Sequence, residues 1–140
     1  MSTTHGVEGS GTREDLWILT TPPGKSEFEV YRDLAATPPV LVVQVGSTEL
    51  RYDLRCIDDL HAMLTKRADW MALGNADEQK AAAPDTVEAW GRSTDNPVGG
   101  WYGLKKGLRG RFGNYIPPVL EVLGLAEVEH NPRNNRMRAL

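Results

Sequence analysis

The sequence predicts a single α+β domain with a small antiparallel sheet, a helix and a C-terminal unit of helix plus β-hairpin. Two observations favour this class. An almost wholly apolar run at residues 40–45 is followed by alternating apolar and polar residues at 49–54, and the period becomes helical directly afterwards. A second pair of strands is indicated within residues 126–140, after a short helix that opens with Pro117 and Pro118. A chain of 140 residues suits one domain with a modest core.

The clearest predicted element is a β-hairpin over residues 40–55. Gly46 and Ser47 suit a two-residue type II′ turn, because glycine readily supplies the positive φ that this turn requires. The turn then brings apolar residues into opposite pairs on one side of the sheet, which fixes the register. The expected pairs are Val43 with Leu50 and Leu41 with Tyr52.

Two further strands are predicted before the hairpin and one helix after it. Residues 27–32 alternate in the same way, and residues 17–19 form a short apolar run. The predicted helix covers residues 56–66 and continues toward residue 73. Its apolar residues recur at helical spacing, and two aspartates occupy the first turn, where the helix dipole favours anions.

The remaining sequence features indicate the domain organisation and the cellular compartment of the protein. Residues 1–11 are small and polar, so we expect a disordered tail before a domain of residues 12–140. Residues 75–100 show little periodicity, and a subdomain boundary, if the domain has one, is expected there. The sequence has no signal-peptide pattern, no run of about 20 apolar residues and only one cysteine. We therefore expect a cytoplasmic protein without a membrane span.

Charge is distributed unevenly along the chain. Residues 1–100 carry 9 basic and 16 acidic side chains, a net charge of −7. Residues 101–140 carry 7 basic and 3 acidic side chains, a net charge of +4. This asymmetry indicates either that the basic part meets a negatively charged partner or that the two parts meet each other in the fold. The sequence leaves both interpretations open.

The stretch GGWYGLKKGLRGRFGNYIPP, residues 99–118, is here called the basic aromatic segment. It holds six glycines, four aromatic residues and four cations, and it contains no acid. Cations neutralise phosphates and aromatic rings stack on bases, so the segment is typical of a nucleic-acid contact. The alternative is structural, because aromatic residues anchor cores and glycines permit tight turns. The candidate binding residues are Trp101, Tyr102, Lys105, Lys106, Arg109, Arg111 and Tyr115.

After the basic aromatic segment, a short helix ends at Gly124, and two strands follow across the polar turn NPRNN. This succession over residues 119–140 resembles the helix and wing that close a winged-helix domain. The resemblance implies that the hairpin lies along a nucleic-acid backbone. Its helix reads PPVLEVLG and has no cation or amide that could read base edges. What remains of the resemblance is contact of the flanking cations with the nucleic-acid backbone. The candidate contacts are Arg133, Asn134, Asn135, Arg136 and Arg138.

The chain as a whole carries three segments of a recognisable pattern, YDLRCIDDLHAML, VEAWGRSTDNPVGGWYGL and GLAEVEHNPRNNRMRAL. Through these segments it resembles an uncharacterised family of small actinobacterial proteins. The resemblance implies no activity, cofactor or ligand.

No catalytic signature is present, and we predict neither a cofactor nor a metal site. The sequence has no phosphate-binding glycine loop, and its three histidines lack the spacing of zinc ligands. Cys56 precedes a helix, a setting that lowers a thiol pKa, and His61 with Asp58 is the nearest base. The favoured alternative is a buried structural thiol.

Three functions remain open at this stage. The first is binding to a nucleic-acid backbone through the two sets of candidate residues. The second is docking to an acidic protein surface or to a second copy of the chain. The third is an enzyme or small-molecule binder whose pocket is covered by residues 75–100. The sequence favours a binding module without catalysis.

Overall fold

A computed structural model describes residues 9–140 and confirms the α+β class, with two antiparallel sheets. The first sheet is a meander in which every strand pairs with the next one along the chain. Its strands are β1 (Trp17–Thr20), β2 (Glu27–Asp33), β3 (Val40–Val45) and β4 (Thr48–Asp53). All four occupy stretches that the sequence predicts as strands, β2 and β4 from alternation and β1 and β3 from apolar runs.

The β3–β4 hairpin has the predicted register. Val43 lies opposite Leu50, Leu41 lies opposite Tyr52, and all four side chains are buried. Gly46 has a φ of +59°, as the first central residue of a type II′ turn requires. The register is fixed because a shift of one residue would move every apolar side chain of a strand to the other face.

The helix α1 (Cys56–Arg67) begins as predicted but ends earlier than predicted. Ala68 adopts a left-handed conformation with φ of 57°, and its N–H donates to the carbonyl of Leu64. The chain then becomes the short strand β5 (Met71–Ala72), which pairs with the C-terminal hairpin. Pairing with a distant strand therefore overrides the local preference of residues 69–73 for a helix.

The C-terminal part contains three short helices and a hairpin. The helices are α2 (Val87–Trp90), α3 (Phe112–Tyr115) and α4 (Pro117–Val122). The hairpin strands are β6 (Ala126–Val128) and β7 (Arg136–Ala139). Helix α4 and the hairpin lie where the sequence predicts them, and β5 completes a sheet in the order β5–β7–β6.

One buried cluster contains residues of both sheets and of the helices. Aromatic rings form its centre, with Tyr102 stacked on Phe112 at a centroid distance of 5.5 Å. A Cβ atom on Gly91 would lie 2.5 Å from the Phe112 ring, so glycine at this position lets the ring pack against the backbone. The predicted tail falls mostly on residues 1–8, outside the described part. No helix within residues 9–140 is long and apolar enough to cross a bilayer.

Candidate functional site

The aromatic candidates of the basic aromatic segment lie at different depths. Tyr102 is fully buried, and its hydroxyl donates to the carboxylate of Asp59 at 2.8 Å. Tyr115 packs edge-on against Phe28 at a centroid distance of 5.1 Å. The Trp101 indole is half-buried, and two guanidinium groups lie over its ring. These are the groups of Arg92 and Arg109, at 4.3 and 4.5 Å from the ring. Most of the ring surface of this segment is therefore already covered by the protein.

Two cations of the segment pair with acids of the preceding connection. Arg109 contacts Glu78 through its guanidinium at 3.2 Å, and Arg111 contacts Asp77 at 2.7 Å. The backbone N–H groups of Gly107 and Arg109 also donate to Glu78, at 2.8 and 2.7 Å. These bonds, led by the side chain of Arg109, hold the pKa of Glu78 at about 2. Part of the predicted positive surface thus meets the acidic part of the same chain.

Lys105 and Lys106 are exposed, and neither forms an ion pair with any described residue. The backbone of this turn is held by β4, because the N–H of Leu104 donates to the carbonyl of Arg51 at 2.8 Å. These two lysines are the free positive charges of the basic aromatic segment within residues 9–140.

Arg92 anchors the connection between β5 and α2. Its guanidinium donates to the carbonyl oxygens of Ala76 and Lys80, each at 2.9 Å, and to the carboxylate of Glu88 at 2.7 Å. Glu88 is fully buried and also accepts from the N–H of Gly113 at 2.9 Å. Burial raises the pKa of Glu88, although its hydrogen bonds from Arg92 and the backbone act in the opposite direction.

The candidate binding residues in the C-terminal hairpin have neighbours different from those of the basic aromatic segment. Arg136 pairs with Glu129, which follows β6, and Arg138 pairs with Glu127 on β6, each at 2.8 Å. Both guanidinium groups lie over the Trp70 ring. The remaining three candidates lie in the connecting turn. Arg133 and Asn134 are exposed, whereas Asn135 is buried and bonds the backbone of Asn131. The hairpin packs on β5, α1 and α4, whereas the turn that carries Lys105 and Lys106 is held by β4 and residues 77–78.

Cys56 is fully buried. Burial and then the carboxylates of Asp53, Asp59 and Asp58 raise the pKa of its thiol well above the ordinary value. This environment is the reverse of one that activates a nucleophile. No group of three or more metal-ligating side chains occurs within the described range.

A groove of about 560 Å³ lies between β1, β6 and α4, and we call it the edge groove. It is lined by Ile18, Leu19 and Thr20 of β1 and by Ala126, Glu127 and Val128 of β6. Consecutive side chains of a strand point to opposite faces of its sheet, so three consecutive lining residues show that the groove runs along the edge of each strand. Pro118, Glu121 and Val122 of α4 form its floor.

The free edge of β1 can be identified from its pairing with β2. The N–H of Thr21 donates to the carbonyl of Ser26 at 2.9 Å, so this pair is a hydrogen-bonded one. Antiparallel pairs alternate between bonded and non-bonded, so Trp17 and Leu19 direct their backbone groups to β2. Ile18 and Thr20 direct theirs to the edge groove.

The same alternation holds in the C-terminal hairpin. The N–H of Glu129 donates to Arg136 at 2.9 Å, and the N–H of Leu140 donates to Leu125 at 3.0 Å. Glu127 therefore bonds to β7, whereas Ala126 and Val128 direct their backbone groups away from it. Two sets of backbone donors and acceptors thus face one groove, and they have no partner within residues 9–140.

A histidine closes one end of the edge groove. The ring of His130, beyond β6, bonds the carbonyl of Pro22, beyond β1, at 2.9 Å and also bonds the carboxylate of Glu121. The ends of both strands are thereby joined. Toward the other end, Ile18 and Leu140 are 51% and 68% exposed, which leaves an apolar entrance.

The sequence pattern identified β1 and β6 as strands but gave no sign that their edges share a groove. Their absence of proline and their low charge were the only available signals of open edges.

The chain was also compared with known proteins. Residues 9–140 match the model of DUF6855, which is described as a family of unknown function. No curated protein and no solved structure matches the chain.

Proposed function

The chain belongs to DUF6855, a family of unknown function, and we propose that it is a protein-interaction module that receives an extended peptide segment in the edge groove. The observation that carries the proposal is that two sheet edges present unpartnered backbone groups to the same groove. Addition of a strand to an exposed sheet edge is a common mode of peptide recognition, in which main-chain hydrogen bonds supply the affinity.

The geometry suits a short guest strand. Ile18 and Thr20 on one side, and Ala126 and Val128 on the other, each offer one N–H and one carbonyl. A guest of about four residues, roughly 14 Å long, matches the length of β1. Each hydrogen bond contributes about 0.5–1.5 kcal/mol, and burial of the exposed Ile18 side chain adds to this.

The composition of the edge supports a binding role. Edge strands are commonly protected by lysine, by proline or by inward-pointing charges. The sequence of β1 is WILT, which has none of these, and Ile18 is 51% exposed. Apart from its short length of four residues, the strand has none of the usual protections of an edge.

The proposal is tested by amide hydrogen exchange on the full chain, with the hexapeptide Thr-Val-Thr-Val-Thr-Val as the probe. In the free protein, the outward amides of Ile18, Thr20, Ala126 and Val128 should exchange faster than the inward amides of Leu19 and Glu127. Addition of the peptide should slow the outward amides.

Two proline variants sharpen the test. Thr20→Pro removes an N–H that points into the edge groove and leaves the bonds between β1 and β2 in place, so it should weaken peptide binding. Thr94→Pro is the matched control, because Thr94 is exposed, lies in a turn and donates no backbone hydrogen bond within the described structure. Equal peptide affinity of the two variants would refute the proposal.

Exchange in the free protein also identifies competing occupants. Outward amides that are already slow at every protein concentration would indicate that residues 1–8 of the chain fill the groove. Protection that increases with protein concentration would indicate a second copy. Either result would exclude a separate partner as the occupant.

A second candidate function is contact with a nucleic-acid backbone, which the exposed and unpaired Lys105 and Lys106 favour. Binding of a labelled single-stranded oligonucleotide should fall steeply with salt, because the release of counterions drives such binding. The double variant Lys105→Ala, Lys106→Ala should reduce both the affinity and its salt dependence. Undetectable or salt-independent binding by the unmodified protein would exclude this function.

A further inference from the structure

We infer that the edge groove selects a segment in which basic and apolar residues alternate. This inference rests on the proposed function, since it specifies the partner of the same groove. Among the described residues that line the groove, Glu121 and Glu127 are charged, and none is lysine or arginine.

Two further carboxylates lie beside β1. Glu29 is the cross-strand partner of Ile18, and Glu27 is that of Thr20. Cross-strand partners point to the same face of a sheet, and both glutamates are exposed. Neither forms an ion pair within residues 9–140, whereas Glu121 pairs with His130 and Glu127 with Arg138. Glu27 and Glu29 are therefore the free negative charges next to the groove.

A guest strand beside β1 would place every second side chain on the face that carries Ile18 and Thr20. Each such side chain would lie two strand spacings, about 10 Å, from Glu29 or Glu27. The flexible stems of lysine and arginine can reach across this separation along apolar surface. The intervening guest side chains would point toward the floor formed by Pro118 and Val122, which suits apolar residues.

The strand that β6 already binds has this same pattern. β7 reads RMRA, with Arg136 and Arg138 exposed and Met137 buried between them. Arg138 pairs with Glu127 across the two strands. β7 is bonded on both sides, by β5 and β6, so a second copy of the chain cannot supply it as the guest without unfolding. The alternation of basic and apolar residues therefore points to a guest strand from a different, basic protein.

The experiment measures the fluorescence anisotropy of three labelled hexapeptides with the full chain at low ionic strength. The peptides alternate valine with lysine, with threonine or with glutamate. The lysine peptide should bind about tenfold more tightly than the glutamate peptide. At 1 M salt, where the screening length is about 3 Å, the difference should largely disappear.

Reversing the charges of Glu27 and Glu29 tests whether these two residues cause the preference for the lysine peptide. The double variant Glu27→Lys, Glu29→Lys should prefer the glutamate peptide. The control Glu14→Lys, Asp95→Lys makes the same change in net charge at two exposed residues outside the groove lining, and it should keep the preference for lysine. Loss of the preference in both variants would mean that net charge alone acts, which would overturn the inference.

The remaining outcomes separate the inference from the proposed function. If all three peptides bind with equal affinity and Thr20→Pro weakens each of them, the groove binds strands but does not select charge. If the lysine peptide binds Thr20→Pro as tightly as the unmodified protein, it binds elsewhere, and both proposals fail. If no peptide binds, the proposed function itself is wrong.

Discussion

Glu78 and Asp77 are adjacent acids that pair with arginines of the same segment, yet we expect their neutralisation to have different effects. Glu78→Gln preserves the shape of the side chain and removes its charge. The carboxylate is 12% exposed and accepts hydrogen bonds from Gly107 and Arg109. Asp77 is 42% exposed, and its side chain accepts one bond, from Arg111. The less exposed acid, Glu78, should therefore matter more.

The magnitudes follow from burial and bonding. Hydrogen bonds to a charged group that is shielded from water contribute about 1.5–3 kcal/mol, and we expect Glu78→Gln to lower the free energy of unfolding by about that amount at neutral pH. Exposed ion pairs contribute about 0–1 kcal/mol, so Asp77→Asn should cost less than about 1 kcal/mol.

The pH dependence gives an independent check. The pKa of Glu78 is about 2 in the folded protein, below the ordinary value of 4.5. A depressed pKa stabilises the fold above the unfolded value, and this contribution is lost as the pH falls from about 4.5 toward 2. The difference between the unmodified protein and Glu78→Gln should therefore shrink over that range.

Urea unfolding followed by tryptophan fluorescence measures both effects. With a slope of about 2 kcal/mol per molar urea, a loss of 2 kcal/mol moves the midpoint by about 1 M. The reasoning is refuted if Glu78→Gln and Asp77→Asn shift the midpoint equally. It is also refuted if the effect of Glu78→Gln is unchanged at about pH 3.

Three further predictions concern other parts of the fold. Gly113→Ala should destabilise by about 2 kcal/mol or more in urea, because its Cβ would lie 2.4 Å from two backbone carbonyl oxygens. Gly99→Ala meets no atom within 4 Å and carries only the strain of its positive φ, about 1 kcal/mol, so it should cost less. Cys56 should resist a thiol reagent until the protein unfolds, as absorbance of the released chromophore would show. Burial lowers the pKa of His130, but its bond to Glu121 raises it overall. The resulting stabilisation is present below about pH 6.5 and is lost as the pH rises through the folded value, so thermal unfolding of His130→Gln should lack this pH dependence.

The sequence predicts elements whose determinants are local. The β3–β4 hairpin follows from the apolar run of β3, the alternation of β4 and the turn at Gly46, and its register needs no information from elsewhere in the chain. The end of α1 is different, because residues 71–72 leave the helix to pair with β7, more than 60 residues later. A helical pattern alone cannot reveal a competing strand at that distance.

The basic aromatic segment shows the same limit for the site. Its composition suits a nucleic-acid surface and a packed turn equally well. The contacts of Tyr102 and Arg109 depend on Asp59 and Glu78, which lie 43 and 31 residues away. The edge groove is even harder to predict from the sequence, because β1 and β6 are more than 100 residues apart and the pattern of each indicates only a short strand.

The position of Arg92 has a consequence for how the connection between β5 and α2 tolerates sequence change. Arg92 holds this connection through the carbonyl oxygens of Ala76 and Lys80, which every amino acid possesses. The path of residues 76–80 thus depends on Arg92, which lies outside this segment. We therefore expect that the exposed residues Gln79 and Ala81 can be substituted or labelled without changing the route of the chain. Substitution of Arg92 would remove these two bonds, and the connection would then be held by the pairs of Glu78 with Arg109 and of Asp77 with Arg111.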